Sequence, residues 1–204
     1  MEKRCLIITG GEFSPVEDYT DSDYVIACDK GYEYAKRCGI KPDLTLGDFD
    51  SYEGEVENCE VHRCQPEKDD TDTMLAIKEA LNMGYKHISL RCALGGRMDH
   101  LIANIQTFAF VARHGAVLDI TDSNTIMCSL NPGLHIVPRR EGYSLSLFAL
   151  TDSCTGVNLK RVKYPLKDAE INSFFPIGVS NEWLEDEAEI SLESGILLLV
   201  MSKL

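Results

Sequence analysis

Positive charge is scarce in this chain: 20 Lys and Arg stand against 33 Asp and Glu, for a net charge of −13 over 204 residues. That balance argues against a nucleic-acid partner, because phosphate backbones are bound through Lys and Arg. Long apolar runs are missing too. No stretch approaches the roughly 20 residues needed to span a bilayer, and Met1-Glu2-Lys3-Arg4 leads into a short strand-like segment without the pattern of a signal peptide. The expectation is a cytoplasmic protein that does not engage a membrane. No G-x-x-x-x-G-K-[ST] sequence occurs, which excludes a P-loop kinase. There are 8 cysteines but no C-x-x-C pair, and Cys5, Cys28, Cys92 and Cys128 lie in apolar runs, where they read as small buried hydrophobes. Cys59, His62 and Cys64 lack a second ligand pair at zinc-site spacing.

What is present falls into two halves. Cys5–Thr9, Tyr24–Cys28, Leu44–Leu46, His87–Cys92 and Ala116–Thr121 are near-continuous apolar runs. Between them lie helical periods: Tyr34, Ala35 and Cys38 before Gly39; Met74, Ile77 and Leu81 before Gly84; and Leu101 to Ala112 before Gly115. Buried strands alternating with amphipathic helices predict a parallel sheet covered on both faces. From Asn124 onward no helical period remains. Short strand-like runs are separated by turn signals such as Asn131-Pro132-Gly133, Tyr164-Pro165 and Ser194-Gly195, and the chain closes on the buried-strand run Ile196–Met201. The predicted fold is thus α/β plus all-β, with a parallel-sheet α/β domain over residues 1–122 followed by an antiparallel β-sandwich over 123–204.

The chemistry concentrates in three polar turns. Gly47-Asp48-Phe49-Asp50-Ser51 and Lys68-Asp69-Asp70-Thr71-Asp72-Thr73 crowd carboxylates into a few residues. Such groups repel one another unless a cation sits between them. Hard carboxylate oxygens suit Mg²⁺, which completes its shell with waters and substrate phosphates. The third turn, Gly95-Gly96-Arg97-Met98-Asp99-His100, opens a helix. Its glycines would let the backbone approach a phosphate, and Arg97 would add a fork of donors. All three turns follow strands or open helices, so a parallel sheet would gather them at its carboxyl edge, where α/β ligand sites lie.

These motifs, with Ser180-Asn181-Glu182-Trp183, occur in an order and spacing that resembles the thiamine pyrophosphokinase family over essentially the whole chain. The resemblance implies transfer of pyrophosphate from ATP to thiamine, giving thiamine diphosphate and AMP. It implies Mg²⁺ as cofactor, with Asp48, Asp50 and Asp72 as metal-associated residues. Asp72, Asp99 and Asp50 would form the catalytic acidic site. Asp29, Thr73, Arg97, Gly95 and Gly96 would serve the nucleotide, and Ser180 and Asn181 would approach thiamine. A homodimer with shared sites, its β domain binding thiamine and serving dimerisation, is implied as well. Asp72 and Asp99 both stand open as acceptor of the hydroxyl proton. One position departs from the pattern: Asp29-Lys30-Gly31 stands where many members carry Asp-Gly-Gly, and the role of Lys30 is open. Trp183, the single Trp, is suited either to stacking on a heterocycle or to a place in the sandwich core.

Two rival readings belong beside this one. Asp48-Phe49-Asp50-Ser51 resembles the loop of haloacid-dehalogenase-like phosphatases, although that reading leaves the β half unexplained. A non-catalytic thiamine or nucleotide sensor is the other, and it has less need of so many carboxylates.

Overall fold

The computed structural model describes residues 3–47, 59–63 and 70–204. The chain divides into two compact units, Met1–Ser123 and Asn124–Leu204.

The first unit holds β1 (Arg4–Ile8), β2 (Tyr24–Cys28), α1 (Gly31–Arg37), β3 (Leu44–Gly47), β4 (Glu60–Arg63), α2 (Asp72–Asn82), β5 (His87–Arg91), α3 (Met98–Arg113) and β6 (Val117–Thr121). Its described strands run parallel in the order β4-β3-β2-β1-β5-β6. Leu6, Ile8 and Val25 share one face of this sheet and pack on Tyr34 and Ala35 of α1. Cys28 points the other way, and its Sγ donates to the carbonyl of Asp72 at 3.6 Å, which sets the start of α2 over the end of β2. Each helix stops two residues before a left-handed glycine, Gly39, Gly84 or Gly115, as the sequence leads one to expect.

β4 is a strand that hydrophobic patterning does not reveal. It lies at the sheet edge, and Glu60-Val61-His62-Arg63 has one apolar residue, because an edge position does not demand a buried run. His62 Nε2 bonds Glu60 Oε1 at 2.8 Å, and Cys59 Sγ lies 3.1 Å from Thr45 Oγ1; Cys64 lies outside the described residues.

On the α1 side of β5 and β6, the sheet carries charge. Arg91, 5% exposed, reaches Asp18 through Nη2 at 2.5 Å and Asp119 through Nη1 at 2.8 Å. Arg4 shares Asp18 at 2.6 Å, and His87 and Ser89 both bond Asp119. Burial raises the Asp18 carboxyl, but hydrogen bonds from Arg91 and Arg4 outweigh it and hold the group at about 2. Burial likewise opposes ionisation of Asp119, and bonds from His87, Ser89 and Arg91 reverse the sign, leaving it below the usual carboxylate range.

The second unit holds β7 (Thr125–Leu130), β8 (Gly133–Pro138), β9 (Tyr143–Ala149), β10 (Ser153–Lys160), β11 (Leu166–Asn172), β12 (Glu187–Leu192) and β13 (Leu197–Lys203). β7-β13-β9 and β11-β10-β12-β8 form two antiparallel arrays. Their inner faces interdigitate as in a sandwich, with Leu130, Leu145, Leu147, Leu197 and Leu199 from one array meeting Val137, Val157, Leu159, Ile171 and Ile190 from the other. β12 shows the period of two plainly: Ala188, Ile190 and Leu192 are buried between more exposed Glu187, Glu189 and Ser191. Trp183 belongs to this core. It is 7% exposed, and its indole Nε1 donates to Val137 O at 3.2 Å, so of its two readings the structure takes the packing one.

Candidate active site

The direction of chain progression reverses between β1 and β5, since β1 leads to β2 on one side while β5 and β6 lie on the other. In open α/β sheets such a point normally opens into a ligand crevice. Here the turns that leave β1 and β5 are laced together. Thr9 N donates to Arg91 O at 3.0 Å, Thr9 Oγ1 to Cys92 O at 2.7 Å, Gly11 N to Cys92 O at 2.8 Å and Glu12 N to Leu94 O at 2.9 Å. Polar groups gather instead over the ends of β2 and β3.

Asp29 follows β2 directly and holds a left-handed φ of 45°, a conformation that Asp tolerates better than most residues. Its N–H donates to Leu46 O at 2.9 Å, which binds the end of β2 to the end of β3. The side chain then turns onto Gly47: the Asp29 carboxylate occupies the space that a Cβ at position 47 would fill. Gly31 is held in the same way, with the carbonyl of Ile8 standing where its Cβ would be. The backbone of Asp29-Lys30-Gly31 is thereby fixed against β1 and β3 together.

Asp72 is the first residue of α2 and is half-buried. Thr71 caps that helix, its hydroxyl accepting from Met74 N at 3.2 Å, and Thr73 is the second helical residue. The helix start favours the Asp72 carboxylate electrostatically. Since Cys28 Sγ reaches Asp72 O, Asp72 lies beside the strand end that carries Asp29. Asp48, Asp50, Ser51 and Asp69 lie outside the described residues, though Asp48 and Asp50 come directly after Gly47 in the chain. Among the described residues no three His, Cys, Asp or Glu side chains form a metal-sized group.

Gly95 and Gly96 are left-handed at φ 71° and 67°, and a side chain on Gly95 would run into that of Glu12. Glu12 was not marked by its sequence context; only the pairing of the two turns places it here. Arg97 precedes α3 and grips Asp99 with both arms of its guanidinium, Nε to Oδ1 at 3.1 Å and Nη2 to Oδ2 at 2.6 Å. The two side chains are 72% and 64% exposed. The hydrogen bond from Arg97 holds the Asp99 carboxyl below its ordinary range, and the same bond raises Arg97. His100 is exposed and donates its backbone N–H to Asp99 Oδ1.

In the second unit Ser180 has a left-handed φ of 59° and is exposed, whereas Asn181 is 2% exposed. The Asn181 amide is occupied internally, accepting from Tyr164 N at 3.0 Å and donating to Tyr164 O at 2.8 Å. It therefore fixes the turn at Tyr164-Pro165 and leaves the Tyr164 ring 60% exposed beside it. Sequence reading marks that dipeptide only as a turn. A cavity of about 240 Å³ farther along this unit is lined by Leu147, Phe148, Ile171, Asn172, Phe174 and Phe175 among others, and by none of the predicted site residues.

Known proteins resemble this chain in both halves. Residues 17–118 match the family described as thiamin pyrophosphokinase, catalytic domain, and residues 134–197 match thiamin pyrophosphokinase, vitamin B1 binding domain. The thiamine pyrophosphokinase of Bacillus subtilis (strain 168) is 30% identical over 207 residues, covering 96% of this chain and 97% of that protein. A crystal structure of thiamine pyrophosphokinase from Bacillus subtilis superposes with a TM-score of 0.90 at 26% identity, covering 99% of each chain. A thiamin pyrophosphokinase family protein from Enterococcus faecalis gives a TM-score of 0.84 at 30% identity, covering 98% of this chain and 99% of that one. The phosphatase resemblance of Asp48–Ser51 accounts for four residues, while these matches account for both halves in order; the chain belongs to the thiamin pyrophosphokinase family.

Proposed function

We propose that this protein transfers the pyrophosphoryl group of ATP to the hydroxyl of thiamine, producing thiamine diphosphate and AMP. The observation that carries the reading is the meeting of Asp29, Gly47 and Asp72 at the ends of β2 and β3, in a chain whose two halves match the catalytic and vitamin B1 binding models of one family. In the transfer, the hydroxyl oxygen bonds to the β-phosphorus as the bond from that phosphorus to the bridging oxygen of the α-phosphate breaks. AMP leaves with that oxygen, and the hydroxyl proton passes to a carboxylate. Such a reaction asks a protein for in-line positioning and countercharge rather than covalent help.

Carboxylate oxygens suit Mg²⁺, and Asp48, Asp50 and Asp72 would hold it. The room that Gly47 leaves for the Asp29 carboxylate fits a crowded acidic centre there. When bound, the ion would screen the phosphates and offset charge that develops during transfer. Thr73, the glycines at 95 and 96 and Arg97 would receive the nucleotide. Arg97 would exchange Asp99 for phosphate oxygens, and that exchange would release the Asp99 carboxylate to accept the proton. On the thiamine side, Ser180 offers its hydroxyl, Tyr164 its exposed ring, and Asn181 holds the two turns together. A net charge of −13 favours the thiazolium cation. The same reading makes the protein a homodimer with shared sites. Buried thiols at Cys5 and Cys92, outside any disulfide, suit a reducing compartment, which supports a cytoplasmic location, and among the described residues no helix is long and apolar enough to cross a membrane.

The test is incubation with ATP, Mg²⁺ and thiamine. AMP should appear one-for-one with thiamine diphosphate. Inorganic phosphate without AMP would restore the phosphatase reading, and binding of both ligands without turnover would make the protein a sensor.

A further inference from the structure

We infer that Lys30 is a nucleotide-binding residue that takes a non-bridging oxygen of the triphosphate, and so sets the affinity of this protein for ATP. The inference rests on the proposed use of ATP. Lys30 follows Asp29 at the end of β2, and the constraints on Gly31 and Gly47 leave its backbone little freedom. Its Cβ would lie 3.3 Å from a Cβ on Gly10, so the side chain springs from the wall of the glycine turn that leaves β1. The side chain is exposed.

Its ammonium stands 5.4 Å from the centre of the Tyr34 ring, and the hydroxyl of Tyr34 bonds Gly11 O at 3.1 Å. Tyr34 thus joins the lysine to the Gly10-Gly11 turn. Among the described residues no carboxylate forms an ion pair with Lys30, although Asp29 is its chain neighbour and Asp72 stands at the same strand end. The other cation brought to this edge, Arg97, is gripped by Asp99 on both arms. A ring contact at an exposed site is a weak hold. A charge-assisted hydrogen bond to phosphate is stronger, so an arriving triphosphate would draw the ammonium off the ring. A flexible stem carrying a compact charge suits that reach, and Gly10, exposed and without a side chain, leaves room beside it.

The experiment is isothermal titration of the wild-type protein and of Lys30→Met, Lys30→Gly and Lys30→Arg with Mg²⁺–ATP, and separately with thiamine, at two salt concentrations. Circular dichroism confirms folding. Loss of one phosphate contact should weaken ATP binding on the order of tenfold in the Met and Gly variants. Its salt dependence should become shallower, Lys30→Arg should keep most of the affinity, and thiamine binding should stay unchanged. Wild-type affinity for ATP in Lys30→Met would overturn the inference while leaving the proposed function standing, as would equal weakening toward both ligands. A wild-type protein that binds no ATP would remove the proposed function and this inference with it.

Discussion

The carboxylate of Asp29 stands where any side chain at position 47 would have to be. The glycine that ends β3 and the acid after β2 are therefore one structural unit, and Asp48 and Asp50 follow that glycine directly in the sequence.

Gly47→Ala should force the two apart. Overpacking of this kind costs about 1–3 kcal/mol, which chemical unfolding would read, and pyrophosphoryl transfer should fall with it. Combining Gly47→Ala with Asp29→Ala should recover part of the stability, because the clash with the carboxylate is gone while the φ of 153° at position 47 still disfavours a side chain, and it should not recover the turnover. A double variant as unstable as the single would show that the strain at 47 lies in the backbone and not in Asp29.

Asp72→Asn keeps the shape of the first residue of α2 and removes its charge. Turnover should fall by about 10²–10³, the scale of losing one group that stabilises charge in a transition state, with the unfolding midpoint nearly unchanged. Thr71→Ala is the contrasting change: losing that cap should cost about 1 kcal/mol of stability. Near-normal turnover of Asp72→Asn at limiting Mg²⁺ would reduce Asp72 to a helix start.

The Asp18–Arg91–Asp119 chain predicts how acid acts on the fold. Asp18 and Asp119 both have lowered pKa values in the folded protein, so their contribution is complete above the ordinary carboxylate range and disappears as pH falls through the folded values, from near 4 to about 2 for Asp18. A carboxyl moved from 3.8 to about 2 would contribute roughly 2 kcal/mol. With the Asp18 side chain 47% exposed, solvent screening reduces that to about 1 kcal/mol. Asp18→Asn should flatten the acid limb by that amount in urea unfolding between pH 5 and pH 2. Arg91→Ala, which leaves buried carboxylate charge unmatched, should cost about 3 kcal/mol at pH 7. An acid limb unchanged in Asp18→Asn would mean that the pair is screened to nothing.

Assembly is tested by complementation. Asp72→Asn damages the α/β half and Tyr164→Ala the exposed aromatic of the β half. If a homodimer shares its sites between chains, one of the two sites in each mixed dimer carries neither change, and a random mixture should recover about a quarter of wild-type activity. No recovery after subunit exchange, or a monomer by light scattering, would place complete sites within single chains.

Much of this protein is legible in its sequence because parallel strands buried on both faces must be apolar along their length, and helices that cover them must be apolar on one side. β1, β2, β3, β5 and the three helices announce themselves for that reason, as do the glycines that end the helices. The shift to short strands after Asn124 is visible for the same reason, since sandwich strands such as β12 alternate. Tertiary structure alone decided the rest. β4 is an edge strand and carries no burial signal. The fate of Trp183 depended on whether Val137 O would meet its indole inside the sandwich. Asn181, prominent in its motif, proved to be the buried clamp of a turn 17 residues away, and Tyr164 is the group it presents. Arg97 is equally able to bind phosphate or an acid from its sequence, and the exception to this rule is local: the start of α3 brings Asp99, two residues on, within reach of both arms. Local periodicity records which side of an element is buried; which polar groups face one another is a property of chain crossings, and no local pattern encodes it.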